Sequence, residues 1–228
     1  MLIAEDLLLL LTDDATGKPV VDTNRLTLAL TGAVLVELTL AGRIAVTDGG
    51  AWGSGPRVTV VSDAHLCDSV LDAALRKIAS KSQPVTAQKV LSTLSYGLVK
   101  ELRQRLVDRG ILRAEEDRVL GIFPTRVWPA ADARHEGQVR SALWEVVVVG
   151  RPPTDREITL VALLNAVDQV PKQFANDGMT ARQLRERARA ISEGNLGGEA
   201  VKRAIAATTA TLVATTTMMT SMLVATSG

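Results

Sequence analysis

The fold class follows from residues 86–110, TAQKVLSTLSYGLVKELRQRLVDRG. Apolar side chains recur about once per helical turn in this stretch, which is the pattern of a helix with one buried face. They are Val90, Leu94, Leu98, Leu102 and Leu106. Thr86 is a favourable N-cap, and Gly110 stands where a helix C-terminus is expected. The stretch therefore predicts a long amphipathic helix from Thr86 to Arg109.

Helical spacing returns on both sides of this stretch. Asp22 offers an N-cap and Gly42 a stop for a helix over about 23–41. Further helices are predicted over about 63–81, 132–149, 154–174, 180–191 and 198–225, with breaks at Gln83-Pro84, Gly150, Pro152-Pro153 and Asn176-Asp177-Gly178. Helices joined by short loops are typical of a mainly α domain.

Two segments between the helices read as β-hairpins. The first joins Arg43–Thr47 to Arg57–Val61 around Asp48-Gly49-Gly50. The second joins 111–114 to 118–123 through a turn at Glu115-Glu116-Asp117, and a loop with two prolines follows over 123–129. The sequence thus predicts one compact, mainly α domain over 1–228, with a buried hydrophobic helix and two β-hairpins.

The two ends of the chain are strongly apolar. Acidic residues precede Leu7–Leu11, unlike a secretory signal, and the run is too short for a bilayer, so we interpret it as a buried first helix. Residues 204–228 carry no charge and are long enough to span a membrane. Their many threonines favour a core helix instead, although a membrane-associated segment remains the alternative.

Composition excludes several classes of function. Cys67 is the only cysteine, which rules out an internal disulfide or a cysteine metal cluster and fits a reducing cytoplasm. His65 and His135 stand in no metal-binding motif, and no phosphate-binding loop or nucleophile motif occurs, so we expect neither metal, cofactor nor catalysis. The net charge of +1 means that an anionic partner must meet a local patch.

One such patch is predicted on the long helix. Tyr96, Lys100 and Arg103 share a face at spacings of four and seven. The alternative is a solvated face on which Glu101 and Asp108 neutralise the cations. In the hairpin that follows, apolar and aromatic side chains surround Arg126 and end at Trp128, as in a wedge at a membrane interface or simply in a strand folded on the core.

Four segments in order resemble the Golgi phosphoprotein 3 (GPP34) family, in particular its bacterial, actinomycete-like members. They are AEDLLLLLTD at 4–13, LTGAVLVELTLAGRI at 30–44, RLVDRGIL at 105–112 and FPTRVWP at 123–129. The match runs over almost the whole chain. It implies a mostly helical single domain around a buried helix, in a peripheral protein on the cytoplasmic face of a membrane that recognises phosphatidylinositol 4-phosphate.

The resemblance also indicates where a head group would bind. The family's four pocket positions fall on Asp22, Thr31, Tyr96 and Val99, and none keeps the family's tryptophan or arginines, so the lipid is not transferred. We expect an altered anionic pocket formed by Arg25, Tyr96, Lys100 and Arg103. We expect the hairpin to contact the membrane through Leu120, Ile122, Phe123, Arg126 and Trp128. A homo-oligomer would raise the avidity of such weak binding.

A nucleic-acid-binding protein of winged-helix type is the alternative. A helix that ends at Gly110 and leads into a hairpin matches the order of recognition helix and wing. The acidic residues Glu101 and Asp108 on that helix and the near-neutral chain disfavour a DNA partner.

Overall fold

A computed structural model describes residues 1–48, 55–119, 123–175, 178–194 and 199–225. The helices are α1 (Ile3–Leu10), α2 (Thr23–Leu40), α3 (Ser69–Ala79), α4 (Ala87–Asp108), α5 (Arg134–Trp144), α6 (Asp155–Ala166), α7 (Val170–Gln173), α8 (Ala181–Glu193) and α9 (Glu199–Ala225). The strands are β1 (Ile44–Thr47), β2 (Arg57–Val60), β3 (Val85–Thr86), β4 (Glu115–Val119) and β5 (Phe123–Val127). The mainly α class is confirmed.

The centre of the molecule is α1, whose residues are all buried. It packs against α2, α4, α5 and α6, and α2 in turn packs against α4 and α9. Gly32 of α2 lies against the Thr208 side chain of α9, where a Cβ would collide. The predicted buried hydrophobic helix is thus confirmed, and α9 packs on the core through residues such as Ala204 and Leu212. No helix in the described part of the chain has the length and apolar character to cross a bilayer.

Two acidic residues lie in this apolar centre, and basic side chains from surrounding helices contact each of them. Glu5 is fully buried and its carboxylate lies 2.9 Å from Arg105 Nε and 3.0 Å from Arg109 Nη1. Asp6 lies 2.8 Å from His135 Nε2 and 2.6 Å from Arg156 Nη2. Burial of a carboxylate is tolerated where it is paired in this way.

Helix α2 begins and ends where its caps predict. The Asp22 side chain accepts a hydrogen bond from the Arg25 N–H at 3.0 Å, and Gly42 follows the helix with a left-handed φ of 65°. Two other predicted helices are too long. The helix predicted over 63–81 begins only at Ser69, after the N-cap Asp68. The one over 154–174 is broken between α6 and α7, where Asp168 has a φ of 57°.

The long helix α4 is interrupted, contrary to prediction. Tyr96 (φ −70°, ψ 117°) and Gly97 (φ 81°, ψ −13°) have the dihedral angles of the central residues of a type II turn. Leu94 and Leu98 remain buried on either side, so the leucine pattern continues across the turn. Tyr96 and Lys100 consequently do not share one continuous helical face.

The first hairpin is confirmed, although most of its turn, residues 49–54, lies outside the described residues. It is extended by β3, a strand that the sequence does not predict, into an antiparallel sheet of order β1-β2-β3. The second hairpin is shifted from its predicted place. Glu115-Glu116-Asp117 lies in β4 and not in a turn, and 123–127 is β5 and not a loop. Lys18 forms an ion pair with Asp117 of this strand at 2.7 Å, a contact between residues distant in the chain.

Candidate anion-binding groove

A groove of about 490 Å³ opens between the start of α2, the second half of α4 and the end of β5. Its lining combines cations, hydroxyl and amide groups and one indole ring. The lining residues are Thr23, Thr27, Ser95, Gly97, Val99, Lys100, Arg103, Gln104, Ala114, Arg126 and Trp128.

The interruption of α4 explains why cations line this groove. After Gly97 the chain re-enters a helix, and Lys100, Arg103 and Gln104 stand at helical spacings of three and four on one face. Leu98, Leu102 and Leu106 occupy the buried face of the same segment. Packing of the leucines therefore turns the polar face toward the groove.

Arg103 lies against the ring of Trp128. The guanidinium carbon is 3.9 Å from the ring centroid, within the range of a cation–π interaction. Both side chains are half-buried, and burial lowers the pKa of Arg103 from its ordinary value. The cation is thus partly removed from water beside a ring that attracts it without neutralising it.

The cations of the groove lack acidic partners. Within the described part of the chain, neither Lys100, Arg103 nor Arg126 forms an ion pair, and the groove lining contains no carboxylate. Three other clefts contrast with it, because each contains at least one acidic residue. One is lined by Glu193, another by Asp63 and Asp72, and the third by Asp13 and Asp14. An anion that enters the groove therefore meets cations that are not held in ion pairs, although Glu116 lies opposite Arg126 in the β4–β5 register.

Four of the predicted site residues meet in this groove: Lys100, Arg103, Arg126 and Trp128. Two others lie outside its lining. Arg25 forms an ion pair with Asp22 at 3.2 Å, and Tyr96 is 89% exposed at the interruption of α4. Trp128 packs partly against the core. Phe123 begins β5, and Leu120 and Ile122 lie outside the described residues.

The four positions that the resemblance assigns to the family pocket do not lie together in the groove. Val99 lines the groove. Asp22 caps α2, and Thr31 is buried with its hydroxyl donating to the Thr27 carbonyl at 2.7 Å. Of the four positions that the resemblance assigns to the pocket, Val99 alone belongs to the groove lining.

Sequence reasoning missed the uncharged polar part of the groove. Thr23 and Thr27 lie one turn apart at the start of α2, where the Thr27 hydroxyl donates to the Thr23 carbonyl at 2.7 Å. Their spacing of four was a usable signal, but only the fold places them opposite Gln104. Near His65, Asp68 caps α3, and the Asp72 carboxylate lies 3.0 Å from His65 Nδ1.

Comparison with known families agrees with this architecture. The family model of Golgi phosphoprotein 3 (GPP34) matches residues 3–208, which includes every element from α1 to the first turns of α9.

Proposed function

We propose, since the chain belongs to the Golgi phosphoprotein 3 (GPP34) family, that it is a non-catalytic peripheral membrane module whose groove binds acidic phospholipid head groups. The family's association with phosphatidylinositol 4-phosphate makes a phosphoinositide the first ligand to test. One observation carries the proposal: three cations line a groove that contains no carboxylate among its described residues.

The chemistry of the groove suits a phosphorylated polyol. Arg103 and Arg126 offer several N–H donors each to phosphate oxygens, and Lys100 adds a compact charge. Thr23, Thr27 and Gln104 offer partners for ring hydroxyl groups. Each cation near an anionic leaflet contributes about 1 kcal/mol, so three give about 3 kcal/mol, which is weak and reversible binding.

The hairpin β4–β5 supplies a second contact in this proposal. The sequence between and beside the two strands is apolar, at Val119, Leu120, Ile122 and Phe123, and Arg126 on β5 lines the groove. An apolar turn that enters the interface next to a basic groove would add buried area to the electrostatic attraction. Both contacts together favour a membrane-bound over a free head group.

Vesicle co-sedimentation tests the proposal. Phosphatidylcholine vesicles, alone or with phosphatidylserine or phosphatidylinositol 4-phosphate, are mixed with the wild type, Arg103→Gln and the control Arg182→Gln over a salt series. Arg182 is 87% exposed on α8 and paired with Glu186, far from the groove in the chain. We expect phosphoinositide-dependent binding that weakens with salt, is reduced in Arg103→Gln and is unchanged in the control.

Absence of wild-type binding to every acidic vesicle at low salt would contradict the proposal. Titration with a fluorescent DNA duplex tests the alternative function, nucleic-acid binding of winged-helix type. Arg105 and Arg109, which a recognition helix would direct to DNA, are bound to Glu5, so we expect no salt-dependent duplex binding.

A further inference from the structure

An arginine side chain that binds an anion must be held in place, because a free one loses rotamer entropy on binding. On the same helix, Arg105 is held by two hydrogen bonds to Asp68 of 2.8 and 2.7 Å. Among the described residues, Arg103 has no such carboxylate. It lies against the Trp128 ring, with the guanidinium carbon 3.9 Å from the ring centroid.

A ring and a carboxylate hold a guanidinium with different consequences. A carboxylate occupies the N–H donors and cancels the charge. The face of an indole ring attracts the cation through its quadrupole and leaves the N–H groups, which lie in the guanidinium plane, available at the edge. Arg103 therefore keeps both its charge and its donors for a ligand in the groove.

Trp128 is itself held by the backbone of a neighbouring loop. The backbone N–H of Trp128 donates to the Gly17 carbonyl at 3.1 Å, and the backbone N–H of Ala130 donates to the Asp14 carbonyl at 3.0 Å. Gly17 has a φ of 64°, and a Cβ there would collide with the backbone of Trp128 and Pro129. The loop thus lies tightly against the chain that carries the ring.

We infer that Trp128 is a positioning residue for Arg103, which it holds open to the groove, and not a membrane-inserted wedge. The inference rests on the proposed function of the groove. It assigns the two aromatic residues of the 123–129 segment to separate roles: Trp128 orients a cation, and Phe123 of the hairpin is left as a membrane contact.

A soluble head group separates these roles, because it has no hydrocarbon interface. Binding of inositol 1,4-bisphosphate and of phosphatidylinositol 4-phosphate vesicles is measured for Trp128→Leu, Trp128→Phe and the control Trp144→Leu. Trp144 is a 38% exposed tryptophan at the end of α5, outside the groove lining. Thermal unfolding of each variant shows that it is folded.

We expect Trp128→Leu to weaken both ligands about three- to ten-fold, as loss of a cation–π contact predicts. Trp128→Phe retains an aromatic face and should recover part of this loss. Trp144→Leu should change neither. Phe123→Ser should weaken vesicle binding and leave the soluble head group unaffected. If Trp128→Leu weakens vesicle binding alone, Trp128 is a wedge and the inference is overturned.

A double-mutant cycle tests whether Trp128 acts through Arg103. If it does, Arg103→Gln combined with Trp128→Leu binds no more weakly than Arg103→Gln alone. Additive losses would overturn the inference. The Arg103 Nε–Hε NMR resonance gives a readout without ligand: ring-current shielding should be present in the wild type and lost in Trp128→Leu. Wild-type failure to bind any acidic vesicle would instead refute the proposed function, whereas an unshielded Arg103 would refute only the positioning role.

Discussion

Arg103 and Arg105 lie two residues apart on α4, yet their surroundings are opposite. Arg105 is held by Asp68 and Glu5, and its hydrogen bonds with Asp68 raise its pKa above the ordinary value. Arg103 faces a groove without a carboxylate, and burial lowers its pKa. The two directions have different causes: hydrogen bonds to a carboxylate raise the pKa of Arg105, and burial without such a partner lowers that of Arg103.

The same contrast extends to two regions of the molecule. Around α1, which we call the α1 cluster, Glu5 and Asp6 are buried and each contacts two basic side chains. In the groove, three cations have no acidic partner among the described residues. A near-neutral chain thus contains a paired region that supports the fold and an unpaired region suited to binding.

Glu5→Gln should give the largest effect, because it removes the charge that compensates Arg105 and Arg109. We expect a loss of about 3 kcal/mol in the free energy of unfolding, measured by urea denaturation. Arg103→Gln is the matched comparison and should cost less than about 1 kcal/mol, since only a ring contact is lost. Equal stability losses in the two variants would remove the distinction between the regions.

A third acidic residue, Glu37, lies beside the α1 cluster, and the pH dependence of stability tests its protonation. Glu37 accepts the Ile3 N–H at 3.0 Å, and burial raises its pKa from 4.5 to about 7. The folded state then keeps a proton that the unfolded state has released, so stability falls as pH rises from about 4.5 to 7, by about 3 kcal/mol.

Glu37→Gln keeps the acceptor for Ile3 and should remove this fall, which urea denaturation across that pH range measures. Glu136, whose pKa burial also raises to about 7, contributes its own fall in both proteins, so the difference between them isolates Glu37. An unchanged slope would show that Glu37 is ionised in the folded state.

Gly97→Ala tests the turn that directs α4 along the groove. The left-handed φ of 81° at Gly97 disfavours any Cβ, and we expect a loss of about 1 kcal/mol in thermal or urea unfolding. Gly137 inside α5 has open space for a Cβ, so Gly137→Ala should instead stabilise the protein by up to about 1 kcal/mol. Effects of the same sign would contradict the turn geometry.

Lys100→Gln and Arg126→Gln should give the smallest effects. Both side chains are exposed at the groove, and each should weaken binding to phosphatidylinositol 4-phosphate vesicles by about 0.5–1 kcal/mol and flatten its salt dependence. Arg189→Gln, on α8 and paired with Glu193, is the control and should leave binding unchanged. Loss of binding in the control equal to that in either variant would show that the attraction is not local to the groove.

Local signals allowed accurate prediction of some elements. Helix α2 is predicted over 23–41 and observed over Thr23–Leu40, because an Asp cap and a left-handed glycine act within a few residues of the chain. The interruption at Gly97 was missed because Leu94 and Leu98 are buried on both sides of it. A glycine inside a helical pattern was the available signal.

Features that depend on distant residues were not predictable in the same way. The acidic residues of β4 resembled a turn, whereas in the fold they pair with β5 in an antiparallel ladder, and Asp117 forms an ion pair with Lys18. The sequence identifies Lys100 and Arg103 but leaves open whether Glu101 and Asp108 neutralise them. In the fold, Asp108 accepts a hydrogen bond from Gln104 at 2.8 Å, and the two cations face the groove.

The orientation of Arg103 by an uncharged ring has a kinetic consequence. An arriving anion displaces no carboxylate, so no internal ion pair has to break before the new one forms. Attraction between exposed charges reaches only about 8 Å at physiological ionic strength, so it accelerates capture only when the anion is already close. We expect such a groove to exchange quickly with anions that a surface concentrates and to capture dilute anions from free solution only slowly.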